Sequence, residues 1–121
     1  MEERIRVIEY QGKQILLVDL SHCSADEVAK IAMVVPSYVT SEPRGSVLLL
    51  ADFTGAEFDR IAIDRLKEGT VFDKPHVKRS AWVGIESLPK VFFEHIKSFS
   101  RRDLPVFKTR EEALAWLVQE S

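Results

Sequence analysis

Two aspartates are the residues of this sequence best placed to do chemistry. Asp19 and Asp52 each close an apolar run typical of a β-strand. Because the carboxyl ends of parallel strands meet at one edge of a sheet, we expect both carboxylates at that edge. Such a pair could serve acid–base or metal chemistry, but no histidine or third acidic residue accompanies it. One cysteine and three scattered histidines also argue against zinc, so we expect neither catalysis nor a metal site.

The turn formed by Asp52, Phe53, Thr54 and Gly55 is the first candidate for a binding or switching site. The pattern places it between a strand and a helix, so Thr54 is expected at a helix start. Free amides there favour an anion, and a phosphate on Thr54 would be electrostatically tolerated. The structural alternative is that Thr54 caps the helix while Asp52 accepts hydrogen bonds from nearby amides.

Basic residues are concentrated in the second half of the chain. Residues 60–110 contain 12 lysine and arginine residues against 6 acidic ones, whereas the remainder contains 5 against 13. This asymmetry could steer an anionic ligand or a partner protein, or it could reflect helix faces of different sign. Nucleic acid is not expected, because the net charge is −2 and no aromatic–basic motif is present.

Four basic residues are candidates for an anion-binding surface: Lys78, Arg79, Arg101 and Arg102. Lys74, His76 and Lys108 are nearby in the sequence and could extend it. The structural alternative for Arg101 and Arg102 is that they follow a helix and are favoured by its negative end.

Residues 21–24 (SHCS) place nucleophiles beside a base. Adjacent side chains generally do not face one another, so His22 and Cys23 make a poor catalytic dyad. Cys23 precedes a predicted helix, which could lower its thiol pKa, but an inert thiol is favoured. Neither glycine-rich nucleotide motif occurs in the sequence, so no cofactor is expected.

The hydrophobic pattern predicts a single α/β domain over residues 1–121, with the element order β-β-α-β-α-β-α-β-α. Strands are predicted at residues 4–10, 13–19, 46–52, 78–85 and 104–107. Capping boxes led by Ser24 and Thr109 begin the first and last helices. This order implies a mainly parallel five-stranded sheet, to which the first hairpin adds one antiparallel edge strand.

Details of the helices are also predicted. Pro36 is expected to bend or end the first helix. The second helix is expected to follow the turn at residues 53–55 directly, to carry Ile61 on its apolar side and to end near Gly69. A third helix is predicted over residues 88–99.

Six aromatic residues could outline an apolar pocket, although most are better explained as core: Phe58, Trp82, Phe92, Phe93, Phe99 and Trp116. Phe92 and Phe93 are adjacent and cannot both face the core, and we expect Phe93 at an exposed contact surface. No apolar run approaches the roughly 20 residues of a membrane span, and no secretory signal is expected. The lone Cys23 favours a reducing cytoplasm.

Four stretches of the chain resemble the SpoIIAA-like (STAS/Sec14-like) branch of the STAS superfamily: residues 8–13 (IEYQGK), 48–55 (LLLADFTG), 78–85 (KRSAWVGI) and 107–117 (FKTREEALAWL). The resemblance covers essentially the whole chain. It implies a non-enzymatic, cytoplasmic regulatory module of bacterial type that contacts a protein partner or forms a homodimer. It also implies a phosphorylated Ser or Thr in a pattern like Asp-Ser-Ser-Gly, for which Thr54 is the nearest equivalent although Phe53 replaces the first Ser. The alternative implied by the Sec14-like side is a carrier of a lipid or another small apolar ligand.

Overall fold

Five strands and four α-helices follow a short 3-10 turn in the computed structural model, which describes residues 2–119. The strands are β1 (Ile5–Tyr10), β2 (Lys13–Asp19), β3 (Val47–Asp52), β4 (Val77–Val83) and β5 (Val106–Phe107). The helices are α1 (Ala25–Val39), α2 (Arg60–Asp73), α3 (Lys90–Ser100) and α4 (Arg110–Leu117). The predicted α/β class is confirmed. No helix within residues 2–119 is long and apolar enough to cross a membrane.

The strands form one mixed sheet in the spatial order β1-β2-β3-β4-β5. The β1–β2 pair is antiparallel, and the three remaining pairs are parallel. Helices α1, α2 and α3 each follow a parallel strand and return the chain to the amino edge for the next one. Because all these crossovers have the same hand, α1, α2 and α3 lie on one face of the sheet.

Each face of the sheet has its own apolar layer, because successive side chains of a strand point to opposite sides. In β3, Leu49 and Ala51 pack in the larger layer beneath α1, α2 and α3. Leu48 and Leu50 pack on the opposite face with residues of α4. Burial on both sides explains why β3 is an almost uninterrupted apolar run. Helix α4 crosses this second face against β3 and β4.

Helix α1 begins at the predicted capping box and continues past its proline. The hydroxyl of Ser24 accepts the Glu27 amide at 3.2 Å, and the Ser24 amide donates to a Glu27 carboxylate oxygen at 2.9 Å. Pro36 lies inside the helix, so the expectation that it could end the helix was wrong. The turn after it is held by the buried Val39 and by the Thr40 amide, which donates to the Pro36 carbonyl at 2.9 Å.

Helix α2 differs from its prediction at both ends. It begins after Asp59, whose carboxylate accepts an amide three positions later at 2.8 Å, rather than directly after residues 53–55. The buried side of the helix includes Ala62 and Leu66 as predicted, but Ile61 is exposed and Ile63 is buried in its place. The helix also continues beyond Gly69 to its last residue, Asp73.

Helix α3 buries Phe93, the member of the adjacent phenylalanine pair that was expected to be exposed. Phe93 is buried and its ring lies 5.5 Å from that of Trp82, whereas Phe92 is exposed. The reason is the helical register: Phe93 lies on the same side as the buried Ile96, while Phe92 shares its side with the exposed Phe99. The prediction that Phe93 forms an exposed contact surface was therefore wrong.

Candidate functional site

Asp19 and Asp52 end neighbouring parallel strands and are paired in register. One oxygen of Asp19 accepts the Ser21 amide at 3.1 Å and the Ser21 hydroxyl at 2.6 Å. Asp52 repeats this arrangement with Thr54, at 2.9 Å from the amide and 2.6 Å from the hydroxyl. Each aspartate therefore closes a local turn on the residue two positions later. The carboxyl edge brings the two carboxylates together, as its topology requires.

Arg110, the first residue of α4, bridges these two carboxylates. Its Nε donates to Asp52 Oδ2 at 2.6 Å, and its Nη2 lies 3.1 Å from Asp19 Oδ1. The side chain of Asp52 is only 7% exposed and that of Asp19 18%, so both pairs are partly shielded from water. Arg4 adds a longer contact to Asp19 at 3.8 Å and donates to the Ser21 carbonyl at 2.8 Å. Two guanidinium groups thus balance two carboxylates.

The protonation states follow from these contacts. Burial alone would raise the pKa of Asp19, but the hydrogen bonds from Ser21 and the charge of Arg110 outweigh it, so the pKa lies below its ordinary value. Burial alone would lower the pKa of Arg110, but Asp52 and Asp19 raise it. A carboxylate with a lowered pKa is a weak base at neutral pH. The arrangement therefore suits holding loops together better than transferring protons.

The turn at residues 52–55 exposes only part of itself. Asp52 and Phe53 are buried, whereas Thr54 and Gly55 are exposed. The first residue of α2 is Arg60, so the expectation that Thr54 lies at a helix start was wrong. Its hydroxyl instead donates to Asp52. The surface presented at this turn consists of the Thr54 side chain and the neighbouring main chain.

The turn is tied to its neighbours on both sides. The His22 amide donates to the Thr54 carbonyl at 2.8 Å, and the Glu57 amide donates to the Cys23 carbonyl at 2.9 Å. On the other side, Gly84 has a φ of +68°, and a Cβ there would lie 2.9 Å from the Thr54 main-chain nitrogen. Close approach of two main chains therefore requires glycine at position 84.

Replacing Gly55 with alanine is expected to lower the free energy of unfolding by about 1–2 kcal/mol, the cost of a side chain in left-handed backbone. Gly55 has a φ of +70°, and a Cβ there would collide with the imidazole of His22. His22 is exposed and can move aside, so the collision adds little. Urea unfolding measures the loss. Gly12→Ala is the matched control for the backbone cost alone. Its φ of +78° is also left-handed, and nothing lies within 4 Å of the place where its methyl group would lie. An unchanged Gly55→Ala midpoint would contradict the expectation.

Cys23 and the candidate metal ligands complete the set of residues with reactive side chains that the sequence singled out. Cys23 is buried, and burial raises the pKa of its thiol, which disfavours the thiolate. Between residues 2 and 119, no group of three or more His, Cys, Asp or Glu residues could hold a metal ion.

The four basic residues predicted for anion binding, Lys78, Arg79, Arg101 and Arg102, are not brought together. Arg79 donates to the Trp116 carbonyl at 2.8 Å and lies over its ring, on the face covered by α4. Arg102 donates to the Thr70 carbonyl at 3.0 Å, on the opposite face near the end of α2. Arg101 ends α3, and Lys78 is exposed where the β3–β4 register shifts. The fold therefore assembles no single surface from these four.

Arg110 and Arg4 are the site residues that the sequence reasoning missed. In the sequence Arg110 stands out only as part of a capping box, and 58 positions separate it from Asp52. A usable signal was nevertheless present. The spacing of Asp19 to Ser21 is repeated by Asp52 and Thr54, and a repeated Asp-x-Ser/Thr after two strands indicates equivalent turns.

No protein-family model, curated protein or solved structure matches the chain.

Proposed function

We propose that this protein is a non-enzymatic, STAS-like regulatory module of the cytoplasm that binds a protein partner, or a second copy of itself, at the carboxyl edge around Thr54. The observation that carries the proposal is an exposed Thr54 on a turn whose other parts are fixed. Asp52 is held by Arg110, and Phe53 is buried in the core. A side chain presented on a rigid main chain loses little conformational freedom on binding, which favours affinity.

The engagement of the polar groups supports binding rather than catalysis. Asp19 and Asp52 are both paired with Arg110, and the lowered pKa of Asp19 makes it a poor proton acceptor. Cys23 is buried, and burial raises the pKa of its thiol. General acid–base or nucleophilic catalysis needs such groups to be accessible and suitably protonated.

Phosphorylation of Thr54 would have a direct electrostatic consequence. The Thr54 hydroxyl donates to Asp52 at 2.6 Å, so a phosphate there would replace a hydrogen bond with repulsion between two anions. Arg110 binds the other oxygen of Asp52 and is a cation that could turn towards the phosphate. The ion pair between Arg110 of α4 and Asp52 of β3 would then weaken, so phosphorylation at this turn could act as a switch on the contact between α4 and the sheet.

The alternative function, a lipid carrier, is less well supported. The cavity inside the larger apolar layer has a volume of about 50 Å³. Ligand pockets in proteins commonly span about 300–1,000 Å³. An acyl chain does not fit in this cavity. A more open pocket of about 480 Å³ lies at the amino edge of the sheet, where Val7, Tyr38 and Val47 are among the residues that line it, so the carrier alternative depends on that pocket and not on the core. Contact with a protein remains the proposed function.

Native mass spectrometry of the protein purified gently from its own host tests the proposal. We expect the wild type to carry a defined partner or a second copy, and Thr54→Asp to lose it. Thr40→Asp is the matched control, because Thr40 is also an exposed threonine with a single hydroxyl contact but lies at the amino edge. Retention of the partner by Thr54→Asp, or a wild type that is monomeric and alone, would contradict the proposal. An intact mass that includes a phosphate on Thr54 would support the switch.

A further inference from the structure

A small cavity lies between the sheet, helices α1 and α2, and Arg102 in the segment after α3. Its volume is about 50 Å³, and its apolar lining includes Phe53, Leu66 and Trp82. Thr70, Asp73 and Arg102 also line it. Since about 10–15 Å³ of such space holds one water molecule, the cavity has room for roughly three to five water-sized groups.

Asp73, the last residue of α2, is an unsatisfied polar group at this cavity. It is only 6% exposed, and its Oδ1 has no hydrogen-bond partner among the described residues. Nearly all buried polar atoms in folded proteins are hydrogen-bonded, because leaving one unpaired costs free energy. A buried carboxylate oxygen without a donor therefore indicates that a hydrogen-bond donor from outside the protein occupies the neighbouring space.

Arg102 is the cation that accompanies Asp73. Its Nη1 donates to the Thr70 carbonyl at 3.0 Å, and no ion pair joins it to Asp73 within the described residues. The two side chains nevertheless line one cavity and influence each other electrostatically. A negative and a positive group thus border the same small space without contact.

We propose that this cavity binds one small molecule whose head group carries a hydrogen-bond donor and an acceptor two or three bonds apart. A primary carboxamide and an α-amino acid share this chemistry. The donor meets Asp73 Oδ1 and the acceptor meets the Arg102 guanidinium, while a tail of one or two carbons faces Trp82. The two protein charges are opposite in sign, so a head group without net charge leaves the cavity balanced, whereas a single ion does not.

Four probes of similar size separate the elements of this chemistry. Propionamide carries donor and acceptor without charge, and glycine carries them as a zwitterion. Propionate keeps only the acceptor, and propylammonium keeps only the donor. Each is titrated into the full-length protein at neutral pH while the Trp82 indole N–H is followed by NMR. Trp116 packs on the opposite face of the sheet and is the internal reference.

We expect propionamide, glycine or both to shift the Trp82 signal along a saturable curve, with Trp116 unchanged and with no saturation by propionate or propylammonium. The compound that binds more tightly identifies a neutral or a zwitterionic ligand. Asp73→Leu is expected to weaken binding about tenfold or more, the loss of one hydrogen bond to a charged group. Asp73→Asn keeps the shape of the side chain and removes its charge, and it is expected to weaken the binding of glycine more than the binding of propionamide.

Three results would overturn the proposal. One is an unchanged Trp82 signal with propionamide and glycine up to their solubility limits, which would leave ordered water as the occupant. Another is an equal response to all four probes, because the head group would then not be recognised. The third is full retention of binding by Asp73→Leu in a folded protein.

Discussion

Replacement of Arg110 with alanine is expected to lower the free energy of unfolding by about 2 kcal/mol, less than the loss of one side of a fully buried ion pair because the Arg110 side chain is 37% exposed. The loss arises mainly from the buried Asp52 carboxylate, which is left without its partner. Asp52 keeps its negative charge with a side chain only 7% exposed, and no other arginine or lysine in the described residues pairs with it. Asp19 retains Arg4 at 3.8 Å and is affected less. Urea or thermal unfolding measures the change.

Arg65→Ala is the matched control for this substitution. Arg65 and Arg110 have the same exposed side-chain fraction, 37%, and both form pairs of about 3 Å. The partner of Arg65 is Glu68, which is 56% exposed, so its loss is expected to cost only about 0.3–0.5 kcal/mol. Adding Asp52→Asn to Arg110→Ala should restore part of the lost stability by removing the unpaired charge. Equal losses for the two alanine variants would show that the carboxyl-edge pair contributes no more than a surface pair.

Replacement of Asp73 with asparagine is expected to raise the free energy of unfolding at neutral pH by up to about 3 kcal/mol. Burial raises the pKa of Asp73 to about 6 from an ordinary 3.8, although the nearby charges of Arg102 and His76 oppose the shift. At about 1.36 kcal/mol for each unit of pKa, the difference corresponds to roughly 3 kcal/mol. The folded chain holds this proton more tightly than the unfolded chain. The stabilisation is therefore complete below pH 3.8 and is lost as the pH rises through about 6.

The pH dependence distinguishes this effect from a simple packing change. Asparagine resembles the protonated acid, so the variant and the wild type should have similar stability below about pH 3.8, diverge between about pH 3.8 and 6, and keep a constant difference above pH 6. Asp64→Asn, an exposed position of the same helix, should change stability by less than about 0.5 kcal/mol at any pH. Parallel stability profiles for wild type and Asp73→Asn from acid to neutral pH would contradict the expected ionisation cost.

The features that were predictable from the sequence depend on neighbours in the chain. Apolar runs indicated the strands, and the capping boxes led by Ser24 and Thr109 begin helices in the structure. The placement of Asp19 and Asp52 followed from parallel topology alone. The start of α2 was missed because Phe53-Thr54-Gly55 has the composition of a turn into a helix. Asp59, a strong N-cap type, was the competing signal.

The features that were not predictable depend on distant parts of the chain or on fine register. No spacing rule relates Arg110 to Asp52, because only the closed fold brings α4 back over β3. The choice between Phe92 and Phe93 depends on a rotation of one residue, about 100° around α3. In the sequence, nothing distinguishes Asp73 from an exposed acidic residue. Its burial depends on α3 and the segment after it, which pack against α2 only in the closed fold.

The position of α4 has a consequence for synthesis on the ribosome. In the described chain it is the only helix over its face of the sheet, and it follows every strand in the sequence. A nascent chain can therefore assemble β1 to β5 with α1–α3 while Leu17, Leu50 and Val83 on the other face remain in water. Such uncovered apolar surface is prone to aggregation until α4 leaves the exit tunnel. Release of α4 both covers that surface and delivers Arg110 to Asp52, so hydrophobic closure and charge neutralisation are completed in the same late event.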